Sequence, residues 1–190
     1  MGDHHVTVAT RGDLPAVSEL VNSAYRGDSS RAGWTTEADY IDGQRTSVAD
    51  LESDLAETGE PEILILRQAG SDDLLACVLI ETLATERGVA GYIGMLTVRP
   101  GMQNGGVGRL MLQAAEDQLR RRGLLEVRMT VVSIREPLIA WYLRRGYQLT
   151  DKILPFPYDD ERFGLPRVEG LTFVLLVKPL EPLSDNHTGA

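Results

Sequence analysis

This 190-residue chain carries a single cysteine, Cys77. An internal disulfide is therefore excluded. The thiol sits in an apolar run and reads as a small packed hydrophobe. A reducing cytoplasm is the expected setting. Histidine is scarce too: His4, His5 and His187 lie at the two ends, none forms a ligand cluster with Cys77, and no metal site is expected. No apolar run approaches the ~20 residues that cross a bilayer. The start, Met1-Gly2-Asp3-His4-His5, lacks the basic and apolar regions of a secretory leader. Positive charge is also short, with 19 Lys and Arg against 28 Asp and Glu and a net charge of −9. Such a balance repels phosphodiester backbones, arguing against nucleic acid, and draws in cationic molecules such as free amines. The basic clusters at Arg120–Arg122 and Arg144–Arg145 read as solvated helix ends.

With 43% hydrophobic and 25% charged residues, the chain suits one domain with a substantial core. We read residues 1–180 as that domain and 181–190 as a polar tail. A short strand is expected at 6–10. Asp13 then caps a helix with Leu14, Val17, Leu20, Val21 and Ala24 on its apolar face. Residues 27–46 show no clean period. Ser47 and Asp50 open a second helix toward Gly59. Strands at about 63–67, 74–83 and 90–98, joined by short turns, imply an antiparallel meander. A helix after Gly108 is expected to bury Leu110, Met111, Ala114, Ala115, the stem of Gln118, and Leu119, and to close at Gly123. A buried strand at 126–132 must lie parallel to 92–98, because a helix joins them. A helix from Pro137 to Gly146 and strands near 147–153 and 171–177 complete a mixed α/β sheet with helices on both faces.

The most informative stretch is the turn Gln103-Asn104-Gly105-Gly106-Val107-Gly108, between an apolar strand and a helix. Unpaired N–H groups and the helix dipole make such a turn an anion site, and the missing side chains admit a phosphate. A Walker loop requires Lys-Ser/Thr after the glycines, but Arg109-Leu110 follows. A dinucleotide fingerprint requires a third glycine where Met111 stands. Val98-Arg99-Pro100 and Gln103-x-x-Gly106-x-Gly108 instead match the acyl-CoA loop of the GCN5-related N-acetyltransferases at every defined position. About forty residues on, Trp141-Tyr142-x-x-x-Gly146-Tyr147 resembles the second signature of that family.

This resemblance implies the GNAT fold, acetyl-CoA as co-substrate and a primary amine, on a small molecule or a peptide, as acceptor. It places the pantetheine arm against Leu96, Thr97 and Val98. The pyrophosphate falls on the amides of Asn104, Gly105, Gly106, Val107, Gly108 and Arg109, with Gln103 orienting the loop. Gly94 is expected to permit the bulge that splays the strand. Tyr142 matches the tyrosine that protonates the departing thiolate; the alternative is a purely structural aromatic face. No carboxylate lies on the strand before the loop, so Glu81 on the preceding strand is the nearest candidate base. Tyr25, Trp34 and Glu37 are candidates for the acceptor pocket, as are Arg45 and the segment 156–163. Arg135 replaces an asparagine common in the family and is a candidate for a CoA phosphate. A homodimer is left open, as is a silent acyl-CoA-binding sensor or interaction module. A longer acyl donor or a hydroxyl acceptor is the weaker third reading.

Overall fold

The structure is a computed structural model. It describes residues 5–68, 70–86, 88–160 and 163–182. His4, His187 and the tail beyond Pro182 lie outside them.

The chain opens with β1 (Val6–Val8) and a 3-10 turn at Arg11–Asp13. Helix α1 (Leu14–Tyr25) follows and buries the five apolar residues that the periodicity selects. Asp13 does not cap this helix with its side chain. Its carboxylate turns back to the amide and hydroxyl of Thr10 and to Arg67, so the capping box forms one turn earlier than expected. The bond from the Thr10 amide, more than Arg67, holds the Asp13 pKa below its usual 3.8.

The aperiodic segment that follows holds only a one-turn helix, α2 (Gly27–Ser30), and a two-residue strand, β2 (Ile41–Asp42). Helix α3 (Val48–Asp54) starts from Ser47, whose hydroxyl accepts from the Asp50 amide at 3.1 Å.

Strands β3 (Glu62–Arg67), β4 (Leu74–Thr85) and β5 (Gly88–Val98) form the expected meander. Helix α4 (Val107–Arg121) leads to β6 (Glu126–Val132), which pairs parallel to β5. Helix α5 (Glu136–Leu143), β7 (Gln148–Pro155), β8 (Leu165–Pro166) and β9 (Thr172–Pro179) follow. The main sheet runs β1-β3-β4-β5-β6-β9-β7, and β2 pairs with β8 in a separate two-stranded ribbon.

Alternation along β3 and β4 sends residues to two cores. Ile63, Ile65 and Cys77 pack beneath α1 and α3. Leu64, Leu66, Val78 and Ile80 pack against Met111, Ala115 and Leu119 of α4. The face of α4 is rotated from the expected one: Leu112 and Glu116 are buried, whereas Leu110 is 38% exposed. Glu116 is tolerated inside because Lys178 donates to both its oxygens at 2.8 Å and the Tyr147 hydroxyl donates at 3.0 Å. A buried carboxylate needs such partners.

Candidate functional site

Two features of the sheet prepare the site. Strands β5 and β6 pair only at Gly91–Val127 and Tyr92–Arg128 and then part. On the other side of β5, Cys77 opposes Thr97 while Leu79 opposes Gly94, so β5 carries one residue too many. The extra residue is accommodated at Met95, which takes a left-handed φ of +54°. The bulge thus falls one residue after Gly94. Gly94 still matters sterically, since a Cβ there would lie 3.0 Å from the Tyr92 ring.

Beyond β5 lies the glycine turn. Asn104 and Gly106 are both left-handed, with φ +74° and +85°, and no atom lies within 4 Å of where a Cβ on Gly106 would stand. Among the described residues, no backbone N–H from Asn104 to Arg109 finds a backbone acceptor. These donors open the 15-residue helix α4, whose dipole adds positive potential. The Gln103 side chain accepts from the Trp34 amide at 2.9 Å and donates to the Val98 carbonyl at 3.3 Å, tying the turn to the aperiodic segment and to β5.

A cavity of 460 Å³ occupies this region. Its walls include Trp34, Leu96, Thr97, Val98, Gln103, Asn104, Gly106, Gly108, Arg109 and Trp141. Gly105 and Val107 are not among its lining residues; Val107 packs against the core. Arg145 stacks on Trp141, its guanidinium 3.5 Å from the ring centroid. A second cavity, of 770 Å³, lies on the other side of the bulge. Glu37, Arg45, Glu81, Tyr92, Phe156 and Phe163 are among its walls. Trp34, expected at the acceptor, lines the cavity at the glycine turn, whereas Glu37 and Glu81 line the other.

Five residues line both cavities: Tyr25, Leu96, Arg135, Leu138 and Tyr142. Tyr142 is only 6% exposed, and burial, then the neighbouring Tyr25, raises the pKa of its phenol above its usual 10.0. The Tyr25 hydroxyl donates to the Leu96 carbonyl at 3.0 Å; burial likewise raises its pKa. Arg135 lines the glycine-turn cavity, and its side chain is held from the aperiodic segment. Its guanidinium donates to Glu37 at 2.7 Å and to Thr35 at 3.0 Å, 5.4 Å from the Tyr25 ring centroid. Arg26, a residue the sequence did not single out, pairs with the other oxygen of Glu37. Its signal was weak, because an arginine at a helix end ordinarily faces water. The pKa of Glu81 is raised by burial and by the nearby Asp54 and Glu57.

Among the described residues, no group of three His, Cys, Asp or Glu is placed to hold a metal ion. No helix there is long and apolar enough to cross a membrane.

Residues 16–147 match the acetyltransferase (GNAT) family model. No curated protein matches the chain. The ribosomal-protein-S18-alanine N-acetyltransferase from Escherichia coli is 18% identical with a TM-score of 0.61, over 96% of this chain and 97% of that one. Nourseothricin acetyltransferase is 17% identical with a TM-score of 0.64, over 95% and 100%. The protein yncA from Salmonella typhimurium, solved with its cofactor acetyl-CoA, is 15% identical with a TM-score of 0.66, over 99% and 100%. Structures this distant establish the shared fold, and the family match, covering most of the chain together with its glycine turn and splayed strand pair, establishes the rest: the chain belongs to the GNAT family and is an acetyl-CoA-dependent N-acetyltransferase.

Proposed function

We propose that the protein transfers the acetyl group of acetyl-CoA to a primary amine by direct attack in a ternary complex. The observation that carries this reading is the junction of the two cavities at Leu96 and Tyr142. A donor in one and an acceptor in the other meet only there.

The residues present fit the donor. The unpaired amides from Asn104 to Arg109 and the open Gly106 suit a pyrophosphate. The edge of β5 beyond Tyr92, with no strand beside it, suits the amide groups of pantetheine. At the junction the amine nitrogen forms a bond to the thioester carbon, the C–S bond breaks, and the acceptor nitrogen gives up a proton. A β5 amide near Leu96 to Val98 stabilises the oxyanion. The Tyr142 phenol gives its proton to the departing sulfur. Desolvation keeps that phenol protonated across the neutral range, as an acid requires. Glu81 takes the acceptor's proton through water.

The test is to incubate the protein with acetyl-CoA and a panel of amines, following thiol release and the mass of the acetylated product. Initial-rate lines that intersect support the ternary complex; parallel lines overturn direct attack. The absence of a carboxylate on β5 favours one second reading, a silent acyl-CoA-binding module. It requires saturable acetyl-CoA binding with no amine consumed.

A further inference from the structure

The charges lining the second cavity are sorted. Near the junction stand three arginines, Arg26, Arg45 and Arg135, with one carboxylate, Glu37. Both oxygens of Glu37 are bonded, one to Arg26 and one to Arg135, and Arg45 reaches it only through its field. Arg45 is half-buried in the cavity wall, its guanidinium 5.7 Å from the Tyr25 ring centroid. Among the described residues no carboxylate pairs with it and no acceptor binds its side chain. The junction therefore carries an excess of positive charge in a chain whose net charge is −9. Of the other acids of the cavity, Asp50 is held by the amide and hydroxyl of Ser47 at the start of α3, and Asp54 and Glu57 act on Glu81.

A guanidinium drawn partly out of water gains from a neighbouring anion, and the planar fork of arginine fits a carboxylate. An anion at Arg45 would lie beside Tyr25, which also lines the donor cavity. A ligand that puts its anion there and its nucleophilic nitrogen at Leu96 and Tyr142 has the two groups close together. The same positive charge favours the neutral form of a neighbouring amine. That is the form that attacks, and β5 supplies no carboxylate to produce it.

Resting on the acetyl-transfer reading, we propose that the acceptor is an amino acid or a close relative, with its reactive amine one or two carbons from a carboxylate, and that Arg45 receives that carboxylate. The remainder of the molecule extends along Leu83, Leu154, Phe156 and Phe173. The acids near Glu81 repel the carboxylate and so set the orientation.

The experiment compares L-amino acids with their amides and with the corresponding decarboxylated amines, in the wild type and in Arg45→Gln. Acetyl-CoA affinity is measured in parallel by calorimetry. Charged hydrogen bonds contribute enough that the acid should exceed its amide in kcat/KM by roughly ten- to a hundredfold, through KM. Arg45→Gln should bring that ratio to about one with acetyl-CoA affinity unchanged. Amides or simple amines that serve as well as acids overturn the assignment of acceptor class and leave acetyl transfer standing. A ratio unmoved by Arg45→Gln removes Arg45 from recognition. If acetyl-CoA binds but no amine is acetylated, the transfer reading falls. Thermal shifts of the CoA complex with amino acids then decide the pocket, and no shift overturns it as well.

Discussion

Tyr25 and Leu96 are 71 residues apart in the chain, yet the phenol of one donates to the carbonyl of the other at 3.0 Å. The bond joins the end of α1 to the bulge of β5. It places the end of α1 against the stretch of β5 where the two cavities meet. Tyr142 lines the same two cavities from α5, so three elements converge on one small volume.

Tyr142→Phe should lower kcat by about one to three orders of magnitude, in line with the ~10²–10⁴ typical of general acid catalysis. Acetyl-CoA affinity should stay at the wild-type value, because the ring remains. Steady-state thiol release paired with calorimetry checks both. Undiminished turnover would remove Tyr142 from the chemistry.

Gly106→Glu should abolish acetyl-CoA binding. The residue holds φ +85°, which a side chain resists. The new carboxylate would also stand at the mouth of an anion site. Calorimetry on a variant shown by circular dichroism to be folded is the measurement. Tight binding by that variant would contradict the assignment of the turn.

The pH dependence follows from Glu81. Burial, with Asp54 and Glu57, raises its pKa above the ordinary 4.5. A base acts only when deprotonated, so kcat/KM should rise with pH through that elevated value. Glu81→Gln should flatten this acidic limb, and Asp54→Asn should move it to lower pH by removing a like charge. A limb that survives Glu81→Gln unchanged assigns the base elsewhere.

Glu37→Ala should destabilise the protein by about 3–5 kcal/mol, because it leaves Arg26 and Arg135 buried against each other without their shared anion. Urea unfolding followed by tryptophan fluorescence reads the change. A loss below about 1 kcal/mol would mean that water or Thr35 suffices to solvate the pair.

Much of the scaffold could be read from the residues because its signals are local. The five-residue apolar face of α1, the Ser47 cap and the glycine turn each lie within one element. What escaped depends on distant partners. Glu116 lies off the apolar face read for α4, and its burial rests on Lys178, 62 positions away. Arg26 gains its meaning only when Glu37 folds back upon it and the Phe163 carbonyl comes within 3.3 Å. The β2–β8 ribbon joins residues more than a hundred positions apart with two residues on each side, too short for any periodic signal. The bulge passed over the more permissive Gly94 for Met95, because pairing with both Cys77 and Leu79 fixes where the surplus residue must go.

The splay of β5 from β6 has a consequence for how this protein resists unwanted association. A strand with unpaired backbone is normally a liability, because any other extended chain can add to it. Here the open edge lies in the interior of the sheet, with β6, β9 and β7 standing beyond it. A second sheet would have to displace β6 to pair there, whereas a slim flexible chain with its own amide groups would not. The fold thus turns an aggregation hazard into a size filter, and the same exposed hydrogen-bonding groups that would make another protein sticky here select a ligand by its width.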